Sequence, residues 1–291
     1  MCWLGELLTE KYNPGGGEAI GEGTWKTVHR KALSTEWNNT VLNLVRKARG
    51  AYVDKVAALF SRSDVPFRID APWCAYLYLN GVIDAETASE ETGEEVEICR
   101  FSSPFVQERI FNALTDDMAG DRLPVPALEP LDDLEDVLAG DELDLPALLS
   151  RYAKYLDRSR ERGLDPWKGQ PRRADLRLTE AAGHFHLYAW LREAVGRWCV
   201  VAPELPTGNG KVDLHLRCGK KTGIVEVKSY VDQLTFLASM GQAARYARSS
   251  GLDAVTLVVF VPVRDEEVVR KLSGPRDMDG TRVNVVAVPW V

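Results

Sequence analysis

The chain has 291 residues, 45% of them hydrophobic, with a formal net charge of −7; that length can bury a sizeable core and suits two folded units. Its five cysteines, Cys2, Cys74, Cys99, Cys199 and Cys218, are scattered with no CxxC pair, which argues against a disulfide framework or a zinc site. Reduced structural thiols in a cytoplasmic protein are expected, with no signal peptide, no membrane-spanning run and no membrane partner.

Residues 1–35 are Gly-rich and weakly periodic, and read as a flexible or loosely docked leader. Within them "NPGGGEAIGEG" (13–23) lacks the spacing of a phosphate loop, because Thr24 and Trp25 intervene between Gly23 and Lys26-Thr27. A mainly helical domain is expected over 36–118. Helical periodicity covers 35–62, a buried helix "APWCAYLYLNGVI" ends at Gly81, a strand runs over 94–101, and a helix over 103–118 starts at Ser103 and Pro104. The proline-rich stretch 119–130 is the expected interdomain linker; with an acidic helix at 131–139 and a longer one at 145–163 it fills 119–165.

The last third, 166–291, has a clearer order. A helix at 178–196 leads to strands at 198–205, 211–218 and 222–230. A helix at 233–251, the apolar strand 254–263, a short helix near 265–273 and a strand at 282–290 complete it. This predicts an α/β layered arrangement in which 254–263 lies parallel to a neighbour inside the sheet.

Alternation on these strands carries the functional signal. Val212, Leu214, Leu216, Val225 and Val227 mark apolar faces, so Asp213, Glu226 and Lys228 gather on the other side of strands apolar enough to be central. Two unneutralised carboxylates in a partly buried site repel and raise one another's pKa. A divalent cation removes that penalty, and two carboxylates, a backbone carbonyl and several waters suit Mg²⁺. Lys228 beside it can orient or help deprotonate an attacking water and favour a pentavalent phosphate. Acid-x-basic alternation also arises on ordinary half-exposed sheets, so the motif needs its neighbours. The turn Gly208-Asn209-Gly210-Lys211 before the first strand, and Gln242, Arg245 and Tyr246 on one face of the following helix, supply them.

Element order and motif together make 178–291 resemble the PD-(D/E)xK nuclease superfamily. The resemblance matches Glu180 to the acid of the first core helix, Asp213 to the second-strand Asp, Glu226 and Lys228 to the (D/E)xK pair, and Gln242 and Tyr246 to the QxxxY helix. It implies a restriction-endonuclease-like mixed sheet flanked by helices, preceded here by a mainly helical domain with a small β-hairpin. It further implies a Mg²⁺- or Mn²⁺-dependent nuclease acting on DNA, with Asp213, Glu226, the Val227 carbonyl and Glu180 on the metal. Lys228 and Gln242 join the catalytic set, and Lys211, Arg245 and Tyr246 contact substrate.

More narrowly, Glu180 with His184, and Gly210-Lys211-Val212-Asp213, look like nuclease domains found behind an AAA-type ATPase. The Walker loops of that ATPase are missing from this sequence, so the resemblance implies a free-standing nuclease or a split half working with an ATPase partner in trans; a role in phage defence is implied by where such nucleases occur. Lys211 where that pattern has Arg keeps the charge but loses bidentate phosphate geometry.

Charge is asymmetric: residues 151–291 hold 23 basic and 16 acidic residues, and residues 1–150 hold 13 and 27. The basic half suits a polyanion, and the acidic half suits a docking surface or self-association. Ordinary solvated surface is the bland alternative. His184 is a candidate neighbour of the site, His186 is packing or surface, Arg172 and Arg173 are candidate phosphate contacts, and Trp190 and Trp198 read as core. Lys220 and Lys221 sit in a turn, where exposure is expected. The rival functions are a catalytically silent nucleic-acid-binding or assembly module and an RNA-cleaving effector.

Overall fold

The computed structural model describes residues 2–14, 20–62, 64–89, 95–119, 123–130, 132–170, 172, 174–176, 178–207 and 210–291. They form two units, one of residues 1–53 with 66–110 and the other of 54–65 with 111–291. No helix among the described residues is long and apolar enough to cross a membrane.

The first unit is helical with a two-stranded sheet. Helix α1 (Cys2–Glu6) continues into a π-helical turn over Leu7–Tyr12, followed by α2 (Glu22–Ser34) and α3 (Asn39–Ala48). Helices thus cover 2–12 and 22–34, and the expected loosely docked leader is corrected. Leu4, Leu7, Leu8, Val28 and Ala32 bury together, with Trp3, Tyr12 and Phe105 packed on them. Their helical spacing was obscured by the glycines around them, of which 15–17 lie outside the described residues. The helical pattern expected over 35–62 divides at a turn near Gly50 into α3 and α4 (Val53–Ser61), the latter beyond Val53 a part of the second unit. Helix α5 (Pro72–Leu79) ends before Gly81, whose φ of +70° favours glycine. Strands β1 (Ile83–Ser89) and β2 (Glu95–Phe101) pair antiparallel from Ile83↔Phe101 to Ser89↔Glu95. Cys74 and Cys99 lie buried with their sulfurs 4.0 Å apart, and burial pushes the Cys99 thiol up to about 12.

Helix α6 (Pro104–Ala119) leads on to the second unit, which adds α7 (Glu135–Leu138), α8 (Leu145–Glu161), α9 (Glu180–Val195), α10 (Gln233–Ser249) and α11 (Glu266–Leu272). Its sheet holds β3 (Val200–Thr207), β4 (Gly210–Cys218), β5 (Lys221–Ser229), β6 (Ala254–Val261), β7 (Gly274–Met278) and β8 (Thr281–Pro289), in the order β3-β4-β5-β6-β8-β7. Strands β5, β6 and β8 are parallel; β3, β4 and β7 join antiparallel. The chain is thus mixed α/β. As its unbroken apolar run predicts, β6 is central, between two parallel neighbours.

Helix α10 covers one face of this sheet, packing Met240, Ala243, Ala244 and Ala247 on Ile224, Val255, Leu257, Val259 and Val285. On the other face Phe260 meets Gly183 of α9, Tyr152 of α8 and Trp167. A Cβ on Gly183 would come within 2.4 Å of the Phe260 ring, so α9 lies as close to the sheet as a glycine allows.

The segment expected as a linker is instead part of this unit. Val125 and Ala127 are buried, and the Ala127 carbonyl accepts from Trp190 Nε1 at 3.1 Å. Proline frequency there reflects an irregular packed segment. Cys199, just before β3, and Cys218, at the end of β4, flank the Val200↔Arg217 pair and form a disulfide, which corrects the expectation of reduced thiols throughout. Sequence spacing hid a pair that strand register brings together.

Candidate functional site

The site begins with a break in strand pairing. Strands β4 and β5 pair from Cys218↔Lys221 to Leu214↔Val225, while β3 and β4 stay paired out to Thr207↔Gly210. At the next position the Asp213 carboxylate takes over: its Oδ2 accepts the Val227 N–H at 2.7 Å. A side chain therefore satisfies the backbone donor that a neighbouring strand would normally hold.

Alternation then places Glu226 and Lys228 on the α10 face, beside Leu257 and Val259, their partners on β6. Lys228 Nζ lies 3.3 Å from Glu226 Oε1 and 3.1 Å from Glu180 Oε1. Glu180 is brought there by the start of α9. Thr179 caps the helix by accepting from Ala182 N, and Ser229 Oγ donates to the Leu178 carbonyl at 2.7 Å. That last bond ties the start of α9 to the residue after Lys228. Sequence reasoning missed Ser229; its place in period two with Val225 and Val227, as a polar residue on their apolar face, was the available signal.

Three carboxylates thus share one ammonium. Asp213 is 6% and Glu226 1% exposed, and Glu226 Oε2 is buried with no hydrogen-bond partner among the described residues. Burial pushes the Glu226 carboxyl well above its ordinary range; Asp213 and Glu180 add to this, and Lys228 opposes it. Burial alone would lower the Lys228 amine, but Asp213, Glu180 and Glu226 outweigh it and hold it well above its ordinary value. Lys228 is therefore a charged donor in this arrangement.

The supporting shell is partly as expected. His184 is buried against Phe111, with its Nε2 3.0 Å from the Asp213 carbonyl oxygen, so it fixes the backbone carrying the acid. Gln242 Nε2 donates to Tyr246 Oη at 2.7 Å. The Tyr246 phenol is raised first by burial, with Gln242 opposing and Glu226 adding to the rise. Arg245, expected on the same helix face, is exposed while Tyr246 is buried: one residue of helical rotation separates them. The side chain of Lys211, and all of Arg173, lie outside the described residues. His186 is core, held by Tyr152 Oη at 2.8 Å from its Nδ1, and burial lowers its ring to about 4. Trp190 is core, whereas Trp198 is 55% exposed and corrects its expected burial. Lys221 reaches back to the Leu138 carbonyl, so the turn is not wholly solvated.

Among the described residues, no three His, Cys, Asp or Glu side chains converge as a ready-made metal site. What Asp213 and Glu226 present is a pair of hard oxygen donors, one of them with an orphaned buried oxygen, a set compatible with a cation that keeps much of its water. Protein-family models, curated proteins and solved structures yield no match to the chain.

Proposed function

We propose that the second unit is a divalent-metal-dependent nuclease of the PD-(D/E)xK kind, hydrolysing phosphodiester bonds in nucleic acid, DNA first. What carries the reading is Glu226 Oε2: a buried carboxylate oxygen with no hydrogen bond, beside a second carboxylate and within a shared ion-pair cluster. A structural ion pair would satisfy that oxygen; a cation-binding site keeps it open. The six-stranded mixed sheet, covered by α9 and α10 on opposite faces, is read as restriction-endonuclease-like on the same grounds.

In this reading Asp213, Glu226 and the Val227 carbonyl hold Mg²⁺ or Mn²⁺, with Glu180 assisting directly or through water. The cation supplies Lewis-acid charge at the phosphate and a water of lowered pKa. Lys228, kept charged by its three carboxylates, orients the attacking water and stabilises negative charge on the phosphoryl oxygens. His184 keeps Asp213 in place through its backbone, and the Gln242–Tyr246 pair lines the α10 side. The basic excess of residues 151–291 supports a polyanionic substrate. An ATPase partner acting through the acidic half, and a role in defence, belong to the same proposal.

The test is a gel assay with single- and double-stranded DNA and with RNA, each in Mg²⁺, Mn²⁺ or EDTA. Metal-dependent products are expected from the wild type and none from Asp213→Asn or Lys228→Met, both folded by circular dichroism. Equal cleavage by those variants rejects the assignment. Salt-sensitive binding with no product in any metal supports the silent binding module instead.

A further inference from the structure

A concave site lies in the same unit, lined by none of the three carboxylates around Lys228. A cavity of about 410 Å³ opens where α8 ends and β6 and β8 run out, lined by Arg160, Arg172, Arg264 and Trp290 together with Leu164 and Asp165. The first four side chains carry only hydrogen-bond donors. Arg160 is anchored with two of its donors, Nη1 to Asp157 Oδ1 at 2.9 Å and Nη2 to the Pro289 carbonyl at 2.6 Å, and its side chain is 14% exposed. Arg264 Nε donates to the backbone oxygen of Val291. The Arg172 guanidinium stacks 4.5 Å from the centre of the Trp290 ring. Trp290 Nε1 is buried and has no hydrogen-bond partner among the described residues. The acidic side chain in the lining, Asp165, gives one oxygen to the Trp167 N–H at 2.9 Å, and Val291, whose oxygen holds Arg264, lines the cavity too. Burial and then Arg264 push the Arg160 guanidinium below its ordinary value, as two like charges held close should.

Three guanidiniums and an orphaned N–H converging on one cavity call for an anion with several acceptor oxygens. A phosphate group satisfies them better than a carboxylate, because its oxygens point in more directions. We propose that this cavity binds a phosphate of a nucleic-acid strand, gripped by Arg160, Arg172 and Arg264 with Trp290 Nε1–H as a further donor. The need for an anion stands on these residues alone; the strand as its source rests on the nuclease reading. Lys228 pairs in register with Val259, Phe260 with Val288 and Val261 with Pro289, so the cavity lies toward the strand end that carries Lys228, two strands across. That lateral step alone is about 10 Å, and the cavity opens on the α8 side while Lys228 faces α10, so a nucleic-acid strand joining the two passes over the strand ends. Arg172 also bridges to Leu178, two residues before Glu180, which links the two sites along one short segment.

The test measures binding of a fluorescent single-stranded DNA 20-mer by anisotropy in EDTA, with inorganic pyrophosphate as competitor. Arg172→Ala and Arg264→Ala alter exposed side chains, and Trp290→Phe leaves a smaller aromatic ring under Arg172 while removing the N–H. Each arginine variant should weaken DNA binding about tenfold and reduce the salt slope by about one. Trp290→Phe should weaken binding severalfold with little change of slope. Cleavage of the small diester bis(p-nitrophenyl) phosphate, which does not reach the cavity, should stay at the wild-type rate. Unchanged DNA affinity in all three variants overturns the proposal. So does loss of pyrophosphate binding with DNA binding intact, because the anion is then a free phosphate compound. Failure of the nuclease reading would appear separately, as no wild-type hydrolysis while these binding effects persist.

Discussion

Replacing Glu226 by Gln separates what this cluster does for stability from what it does for function. Glu226 is 1% exposed, its Oε2 has no described partner, and Asp213 and Glu180 repel it more than Lys228 attracts it once burial is included. Gln keeps the shape and removes the charge, while Lys228 retains Glu180 at 3.1 Å. Relief of a buried, unsatisfied charged group is worth about 2 kcal/mol, or about 4–8 °C in Tm for a unit of this size. The pH dependence fixes the cause. Because the folded-state carboxyl lies above its ordinary value of 4.5, its protonated form contributes stability that is complete below that pH and is lost as pH rises through the raised value. The two proteins should therefore melt together near pH 4 in EDTA, with the variant pulling ahead as pH rises. In Mg²⁺ the order should narrow or reverse, because cation binding at 100 times Kd stabilises the wild type alone by about 2.7 kcal/mol. The assay is thermal and urea unfolding across pH in both buffers. A variant less stable than wild type in EDTA at pH 8, or a difference that is flat with pH, refutes the reasoning.

Gly183→Ala sets helix propensity against packing. Alanine favours a helix by about 1 kcal/mol, but its Cβ would sit 2.4 Å from a Phe260 ring already wedged by Trp167 and Tyr152. Overpacking of about 2–3 kcal/mol should win and lower Tm; a rise in Tm would show that the ring has room to move. His186→Gln should flatten the acid limb of stability. With its ring held at about 4, His186 contributes stability that is present above its ordinary value of 6.5 and falls by about 3 kcal/mol as pH drops to 4, a slope that urea titrations should no longer find in the variant. Reduction of the Cys199–Cys218 bridge, or Cys218→Ser, should cost about 3 kcal/mol, since it closes a loop with a sequence separation of 19. No change in Tm with reductant would contradict it.

Much of the second unit is legible in its sequence because its elements are long and strongly periodic. Alternation in 211–230 identifies both strands and the shared face of Asp213, Glu226 and Lys228, and the apolar run at 254–263 announces a central parallel strand. The short elements are less legible: β7 begins at Gly274 and Pro275, residues that read as a turn, and β1 is an exposed strand without an apolar stripe. The disulfide follows from register and not from spacing. The arginine cavity is assembled from residues 160, 172, 264 and 290, which no local pattern could join. Arg245 shows the limit of helical periodicity used alone, since positions three apart share a side of a helix without sharing its burial.

The break between β4 and β5 explains why so costly a cluster can exist. Had the ladder continued past Leu214↔Val225, Asp213 and Glu226 would face each other as a closed cross-strand pair of like charges, which is destabilising. Parting the strands there lets Asp213 spend an oxygen on the Val227 N–H and leaves Glu226 facing Lys228 from its own strand. His184 on the Asp213 carbonyl and Ser229 on the Leu178 carbonyl pin the two sides of the gap to α9. The opening is therefore held by hydrogen bonds independent of the carboxylates, and neutralising Glu226 should leave the gap in place while removing its affinity for a cation.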